Sequence, residues 1–358
     1  KGFGLMFGSD FLDRPEFSST IFSKLSAIKT LSVLRIDSRY KFSKENILLL
    51  NHAIKSFEGL ITLRIKAIFP DEVTLYELIS NIELKKLKTL ELQLCIESKK
   101  QLDLQRIGAL CENNRNIEVF SLFLPLPDSS NKAHQQLASK LLLLSKLKFL
   151  YLGFSSQAMS LYQSLNSFSI KDYLKIIKKC PNLKSFKFDG SVSMSNEDFE
   201  ALIQFLSSQK SLEKLELHLP KTQLALQVIY LEEFIKELAK HRELKFIAIP
   251  IIFDLSKLDH NAWFECLYSF RKLREISIGF SSPKITNEVL KKFFFKFFEN
   301  RNLTDVQLSF NQTRLTSKDI EVILTIVKFH FRKMRNLICS YLGKNKAIER
   351  SEEHTSQL

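Results

Sequence analysis

Glycine and proline are scarce in this chain, at 9 and 8 of 358 residues, which leaves little material for long irregular loops. Cysteine is sparse as well. The five thiols, Cys95, Cys111, Cys180, Cys266 and Cys339, are odd in number and contain no Cys-x-x-Cys pair, so neither a zinc knuckle nor a disulfide framework is indicated. That usage fits a reducing compartment, and a cytoplasmic or nuclear location is expected. Long apolar runs are missing too. The most apolar stretch, Leu141 to Phe154, is interrupted by Lys146 and Lys148 and falls short of the roughly 18 to 20 residues that a membrane span needs, so no membrane partner is expected. No P-loop, His-Glu-x-x-His or Gly-x-Ser-x-Gly pattern occurs. Gly2, Gly4 and Gly8 approach a dinucleotide fingerprint, but the spacing lacks the glycine that lets a helix pack close to its strand. Seven histidines, at positions 52, 134, 218, 241, 260, 330 and 354, never fall at ligand spacing. No metal, no cofactor and no catalysis is expected. His241 and His330 fall near predicted helix ends, where the helix dipole favours a cation.

What the chain does have is a repeat. With 45% hydrophobic and 26% charged residues it has the composition of a folded domain rather than a disordered one. The phrases YLGFSS at 151–156 and SIGFSS at 277–282 are two echoes of a longer pattern, apolar-x-x-apolar-x-apolar, usually preceded by a basic residue or Asn. Its copies are Leu31/Leu34/Ile36, Leu60/Leu63/Ile65, Leu87/Leu90/Leu92, Ile117/Phe120/Leu122, Leu147/Leu150/Leu152, Leu183/Phe186/Phe188, Leu212/Leu215/Leu217, Leu244/Ile247/Ile249, Leu273/Ile276/Ile278 and Leu303/Val306/Leu308. Successive copies are separated by 29, 27, 30, 30, 36, 29, 32, 29 and 30 residues. Self-similarity near 30 residues marks a solenoid.

Helical periodicity fills the intervals. Ser195 with Asp198, and Thr316 with Asp319, have the spacing of capping boxes, and apolar residues follow at helical intervals, as in Phe199, Leu202, Ile203 and Leu206. Each copy therefore predicts strand, loop, helix, loop. Such a unit cannot bury its apolar face alone, so copies must stack, strands in a parallel sheet on the inside of a curve and helices outside.

The pattern Leu-x-x-Leu-x-Leu with a full helix per copy resembles the ribonuclease-inhibitor-like class of leucine-rich repeats, and Cys180-Pro181-Asn182-Leu183 resembles the helix-end phrase of the cysteine-containing subtype found in F-box adaptor proteins. The resemblance covers about residues 5–342. It implies an α/β horseshoe of about ten to eleven repeats, with the parallel sheet concave and the helices convex, acting as a monomeric, non-enzymatic scaffold that grips a protein on its concave face. The Asn or Cys that commonly follows the strand in that family is mostly missing. The chain opens Lys1-Gly2-Phe3, inside a copy, so residues 1–349 read as one solenoid without its N-terminal cap. Arg350 to Leu358 has no periodicity and resembles a translated sequencing adapter; it reads as a disordered tail outside the fold.

The formal net charge of +14 raises a second function class, nucleic-acid or polyanion binding, provided the charge is gathered on one surface. On the strand positions that face away from the core the cations are Arg35, Arg64, Lys66, Lys187 and Lys214, against Asp37, Glu91, Asp189, Glu216, Glu275 and Asp305. That face is nearly neutral. The excess sits before the strands, at Lys85-Lys86, Lys178-Lys179, Lys240-His241-Arg242, Arg271-Lys272 and Arg332-Lys333, positions that read either as solvated caps of helix ends or, stacked repeat on repeat, as a basic rim for an acidic partner or polyanion. The aromatic cluster Val119, Phe123, Phe149 and Tyr151 is the candidate partner contact, with Arg35, Arg64, Lys187 and Lys214 as its charged surround. The alternative for this patch is that the loop after Pro125-Leu126-Pro127 folds back over it, and the insertion at Ser155 to Ser169 is a further candidate binding element. A third class, the regulatory or substrate-recognition arm of a ubiquitin-ligase adaptor or a kinase-linked protein, rests on the resemblance alone.

Overall fold

A strand-helix copy buries its apolar triplet only when the next copy covers it, and this constraint organises the whole chain. The structure, a computed structural model, describes residues 3–7, 15–96, 102–125, 131–155, 170–190, 195–218, 228–254, 260–281, 302–311, 336–342 and 352–357, together with 286, 288, 291, 292, 316, 318, 319, 321, 322 and 325. Two units are found, Lys1–Leu183 and Lys184–Leu358.

The first unit alternates β1 (Phe3–Phe7), α1 (Pro15–Leu25), β2 (Leu31–Lys41), α2 (Lys44–Ser56), β3 (Thr62–Phe69), α3 (Glu72–Ser80), β4 (Thr89–Ile96), α4 (Leu104–Asn113), β5 (Val119–Pro125), α5 (Asn131–Leu141), β6 (Phe149–Ser155) and α6 (Lys171–Ile177). Each strand pairs in parallel with the next, and successive helices pack side by side. The second unit contains β7 (Ser185–Gly190), α7 (Asn196–Ser208), β8 (Lys214–His218), α8 (Val228–Leu238), β9 (Phe246–Asp254), α9 (His260–Ser269), β10 (Glu275–Ser281), β11 (Asp305–Asn311), β12 (Asn336–Leu342) and β13 (Glu352–Gln357). Here β7 to β12 pair in parallel, and β13 joins β12 antiparallel. Within each unit this is an α/β fold of repeated strand-helix copies on a parallel sheet. Residues Phe3–Phe7, which include one glycine of the near-fingerprint, run as a strand in register with β2. The tail expected to be disordered instead forms β13, because the free edge of β12 offers unpaired backbone groups to any extended neighbour.

All ten triplets lie at or just ahead of a strand, and their side chains are buried, Leu308 apart, whose side chain lies outside the described residues. At about 1.5 to 3 kcal/mol for each fully buried Leu, Ile or Phe, these positions carry much of the stabilisation. Polar groups lock the copies in register. The carbonyl of Lys88 accepts both the Glu118 and Val119 amides at 2.8 and 2.9 Å, and that of Glu118 accepts Lys148 and Phe149 at 2.8 and 3.0 Å. In the second unit the Lys184 carbonyl accepts Glu213 and Lys214 at 2.7 and 3.0 Å, and that of Glu213 accepts Lys245 and Phe246 at 2.8 and 3.2 Å. The asparagines that precede a strand reinforce this edge. Asn116, Asn182 and Asn302 each donate their side-chain amide to the carbonyl of the preceding copy, at Lys85, Ser145 and Arg271.

The helix starts follow the side chains. Ser195 and Asp198 form a reciprocal capping box, and Thr316 and Asp319 make the same exchange. Ser43, Asp71 and Asp103 cap α2, α3 and α4, each worth about 1 kcal/mol.

One buried polar pair holds the end of the first unit. His134 on α5 and the Tyr173 hydroxyl on α6 share a 2.8 Å hydrogen bond, and both rings pack against Phe154 of the YLGFSS strand at 5.9 and 5.7 Å. Burial pushes the His134 pKa down to about 4 and the Tyr173 pKa well up. The pair is neutral at pH 7. Because the unfolded histidine titrates near 6.5, protons favour the unfolded chain as pH falls from about 6.5 to 4, a loss of up to about 3 kcal/mol from this site. Thermal unfolding midpoints measured across that range should fall steeply for the parent protein and less steeply for His134→Leu/Tyr173→Phe. Identical slopes would show that the pair is not the titrating element.

Candidate functional site

Alternation in a strand sends every second side chain to the face away from the helices, and parallel register then arranges those residues in rows. In the first unit one row runs Thr89, Val119, Phe149 and a second runs Arg35, Arg64, Glu91, Ser121, Tyr151. A third runs Asp37, Lys66, Gln93, Phe123, Gly153. Four of the sequence candidates therefore meet: Val119 lies beside Phe149, and the Phe123 and Tyr151 rings stand 6.4 Å apart. Phe149 is 43% exposed, which is unusual for so large an apolar side chain on a strand.

These rings form one wall of a hollow lined by Arg64, Lys66, Glu91, Gln93, Ser121, Phe123 and Tyr151. The opposite wall is ionic. Arg64 reaches Glu91 at 3.5 Å and Lys66 reaches Asp37 at 3.5 Å, exposed pairs worth about 0 to 1 kcal/mol each. Arg35 lies in register beside Arg64 and is exposed. Gln93 and Ser121, which line the hollow between the two walls, were not among the sequence candidates. Aligning the copies by strand position rather than by residue type finds them.

A glycine on this face serves either as a gap in the surface or as a point of close approach, and Gly153 of YLGFSS distinguishes the two. As a gap in the surface Gly153 would leave room for a ligand, but it is buried. The Phe123 ring lies over it so closely that a methyl group at position 153 would collide with the ring carbons. A close approach, not a vacancy, requires glycine there.

The two remaining charged candidates belong to the second unit. Lys187 pairs with Glu216, as does Lys214 at 3.4 Å, and His218 Nε2 lies 2.7 Å from the same carboxylate. Burial alone would raise the Glu216 pKa, yet the bonds from His218 and Lys187 and the charge of Lys214 take it down to about 2. Lys214 also sits 4.0 Å over the Phe246 ring. Both lysines are thus engaged internally.

The basic residues ahead of the strands mostly occupy the turns, as expected, but His241 is not a cation at a helix end. It is 1% exposed, and burial, then Lys210, hold its pKa below the usual value. Burial pushes the Cys111 thiol up to about 12, Cys180 up to about 11 and Cys266 higher still, so none of these is a thiolate nucleophile at neutral pH. Among the described residues no group of His, Cys, Asp and Glu is placed to hold a metal, and no helix is long and apolar enough to cross a membrane. His330, Arg332-Lys333, the loop at 126–130, residues 156–169 of the insertion and the run Phe293–Phe298 lie outside the described residues. No protein-family model matches this chain, and no curated protein matches it.

The Phe123–Gly153 contact is testable by a double-mutant cycle. Gly153→Ala should destabilise the protein by about 1 to 2 kcal/mol in denaturant titrations through overpacking, and should cost nothing in a Phe123→Ala background. An equal cost in both backgrounds would place the ring elsewhere.

Proposed function

We propose that this chain is a non-enzymatic scaffold of the leucine-rich-repeat type, monomeric, that binds a protein on the open face of its first unit. The observation that carries the reading is Phe149, exposed beside Val119 and the Phe123–Tyr151 pair on a sheet face whose adjoining strands β2 to β4 present polar residues. An apolar cluster with a polar surround is the composition of an interface centre, where aromatic residues dominate the binding energy. The hollow suits a partner segment that places an apolar side chain against Tyr151 and Phe123 and a carboxylate near Arg35 and Arg64. The triplet pattern and the parallel register support the repeat class; the charges of the second unit, drawn together by Glu216, support a structural part for Lys187 and Lys214.

Phe149→Ser/Tyr151→Ser should reduce recovery of specific partners at least 10-fold in quantitative affinity purification from cells expressing the chain, with the unfolding midpoint within a few degrees of the parent. An unchanged set of recovered proteins, with the fold intact, would exclude this face as the binding surface.

A further inference from the structure

Lysines in the strand-start turns are usually matched by a carboxylate of a neighbouring copy. In the second unit Lys184 and Lys245 share Glu213, Lys210 and Lys240 share Glu237, and Lys272 reaches Glu243. In the first unit Lys88 and Lys148 share Glu118 in the same way, at 3.2 and 2.7 Å. In the first unit the column immediately before the triplet departs from this rule. Lys86, Asn116 and Lys146 occupy equivalent positions in three successive copies, with Lys85 next to the first.

Together with Ile61, Lys88 and Glu118, these residues line one open hollow at the start of β3 to β6. Four lysines face it against one glutamate, and that glutamate is already shared by Lys88 and Lys148. Lys146 donates to the Asn116 side-chain oxygen at 2.8 Å, while the Asn116 amide is fixed on the Lys85 carbonyl at 3.1 Å. The result is a cluster of three exposed lysines, Lys85, Lys86 and Lys146, with no carboxylate partner among the described residues, lining the same hollow as Ile61. Like charges gathered so closely repel, and their proximity favours an anion between them.

We infer that this hollow is a binding site for a phosphate monoester dianion. Three donors approaching from two alternate copies match a group with three acceptor oxygens and a charge near −2 better than they match a two-oxygen carboxylate. A polynucleotide fits less well. A string of phosphates running along this edge meets the carboxylate of Glu118 between Lys88 and Lys148, so the site takes one phosphate rather than a track of them. Glu118, which lines the hollow, is followed directly by Val119 of the aromatic cluster, and this places the hollow at the margin of the open face. A phosphorylated side chain on the docked partner is therefore the ligand; this last identification rests on the proposed function above, whereas phosphate binding does not.

The test is isothermal titration of the full chain with inorganic phosphate, O-phosphoserine and a single-stranded RNA 20-mer, at low and moderate salt. Inorganic phosphate and O-phosphoserine should each bind at one site, weakened at least 10-fold in Lys85→Gln/Lys86→Gln/Lys146→Gln. The same titrations should be unchanged in Phe149→Ser/Tyr151→Ser and in Lys245→Gln. Equal phosphate affinity of the triple variant and the parent would overturn the site. RNA binding that is tighter than O-phosphoserine, survives moderate salt and is lost in the triple variant would overturn the phosphoprotein ligand in favour of nucleic acid. Phosphate binding that behaves as expected, combined with partner recovery indifferent to Phe149 and Tyr151, would keep the hollow and remove the open-face reading.

Discussion

The stacking of one copy on the next, in a single register, is the interaction on which everything else in each unit depends. A lone strand and helix of this sequence exposes the apolar triplet it must bury. Covering that triplet with a neighbour of the same pattern solves the burial problem, and the shared carbonyl at Lys88, Glu118, Lys184 and Glu213 fixes how far one copy slides along the other. The asparagine amides at Asn116, Asn182 and Asn302 do the same with side chains. Because side chains alternate along a strand, a slip of one residue would turn Leu122 outward and Phe123 inward. Register is therefore not a detail of the fold but the condition for having an outer face with defined rows.

The two surfaces of interest in the first unit are consequences of that register. On the open face it brings Phe123 over Gly153 and next to Tyr151, and sets an aromatic wall across from the Arg64–Glu91 and Lys66–Asp37 pairs. On the strand-start edge it superposes Lys86, Asn116 and Lys146 and leaves the ammonium groups around a common hollow. Elsewhere the same geometry neutralises charge: Glu213, Glu216 and Glu237 each gather at least two basic side chains. These clusters offset part of the basic charge, and the excess behind the net charge of +14 lies with basic residues that lack such a partner or outnumber it.

The repeat was legible in the sequence because burial imposes it directly. A triplet such as Leu147, Leu150 and Leu152 must be apolar wherever it occurs, and its spacing reports the copy length. The aromatic cluster was legible for the same reason, once the strand positions facing outward were identified. What stayed hidden depends on contacts between copies. Gly153 looks like a gap until the ring of Phe123, thirty residues earlier, is placed above it. His241 looks like a helix-end cation until its burial in the fold is seen. Lys187 and Lys214 look like free surface charges until Glu216 is found between them. The tail at 352–357 has no periodicity of its own and pairs with β12 because that strand ends the parallel ladder with an open edge.

Native-state hydrogen exchange tests the dependence on register most directly. The amides of Glu118, Val119, Lys148 and Phe149, which meet the shared carbonyls, lie at the very start of their strands, where fraying is ordinarily greatest. If stacking through this edge holds the unit together, they will be protected to the same degree as the amides of Leu122 and Leu152 in the strand centres, and all of them will exchange in one cooperative opening. Fast exchange at the four edge amides, with the strand centres still protected, would contradict the claim that this edge sets the register on which both surfaces rest.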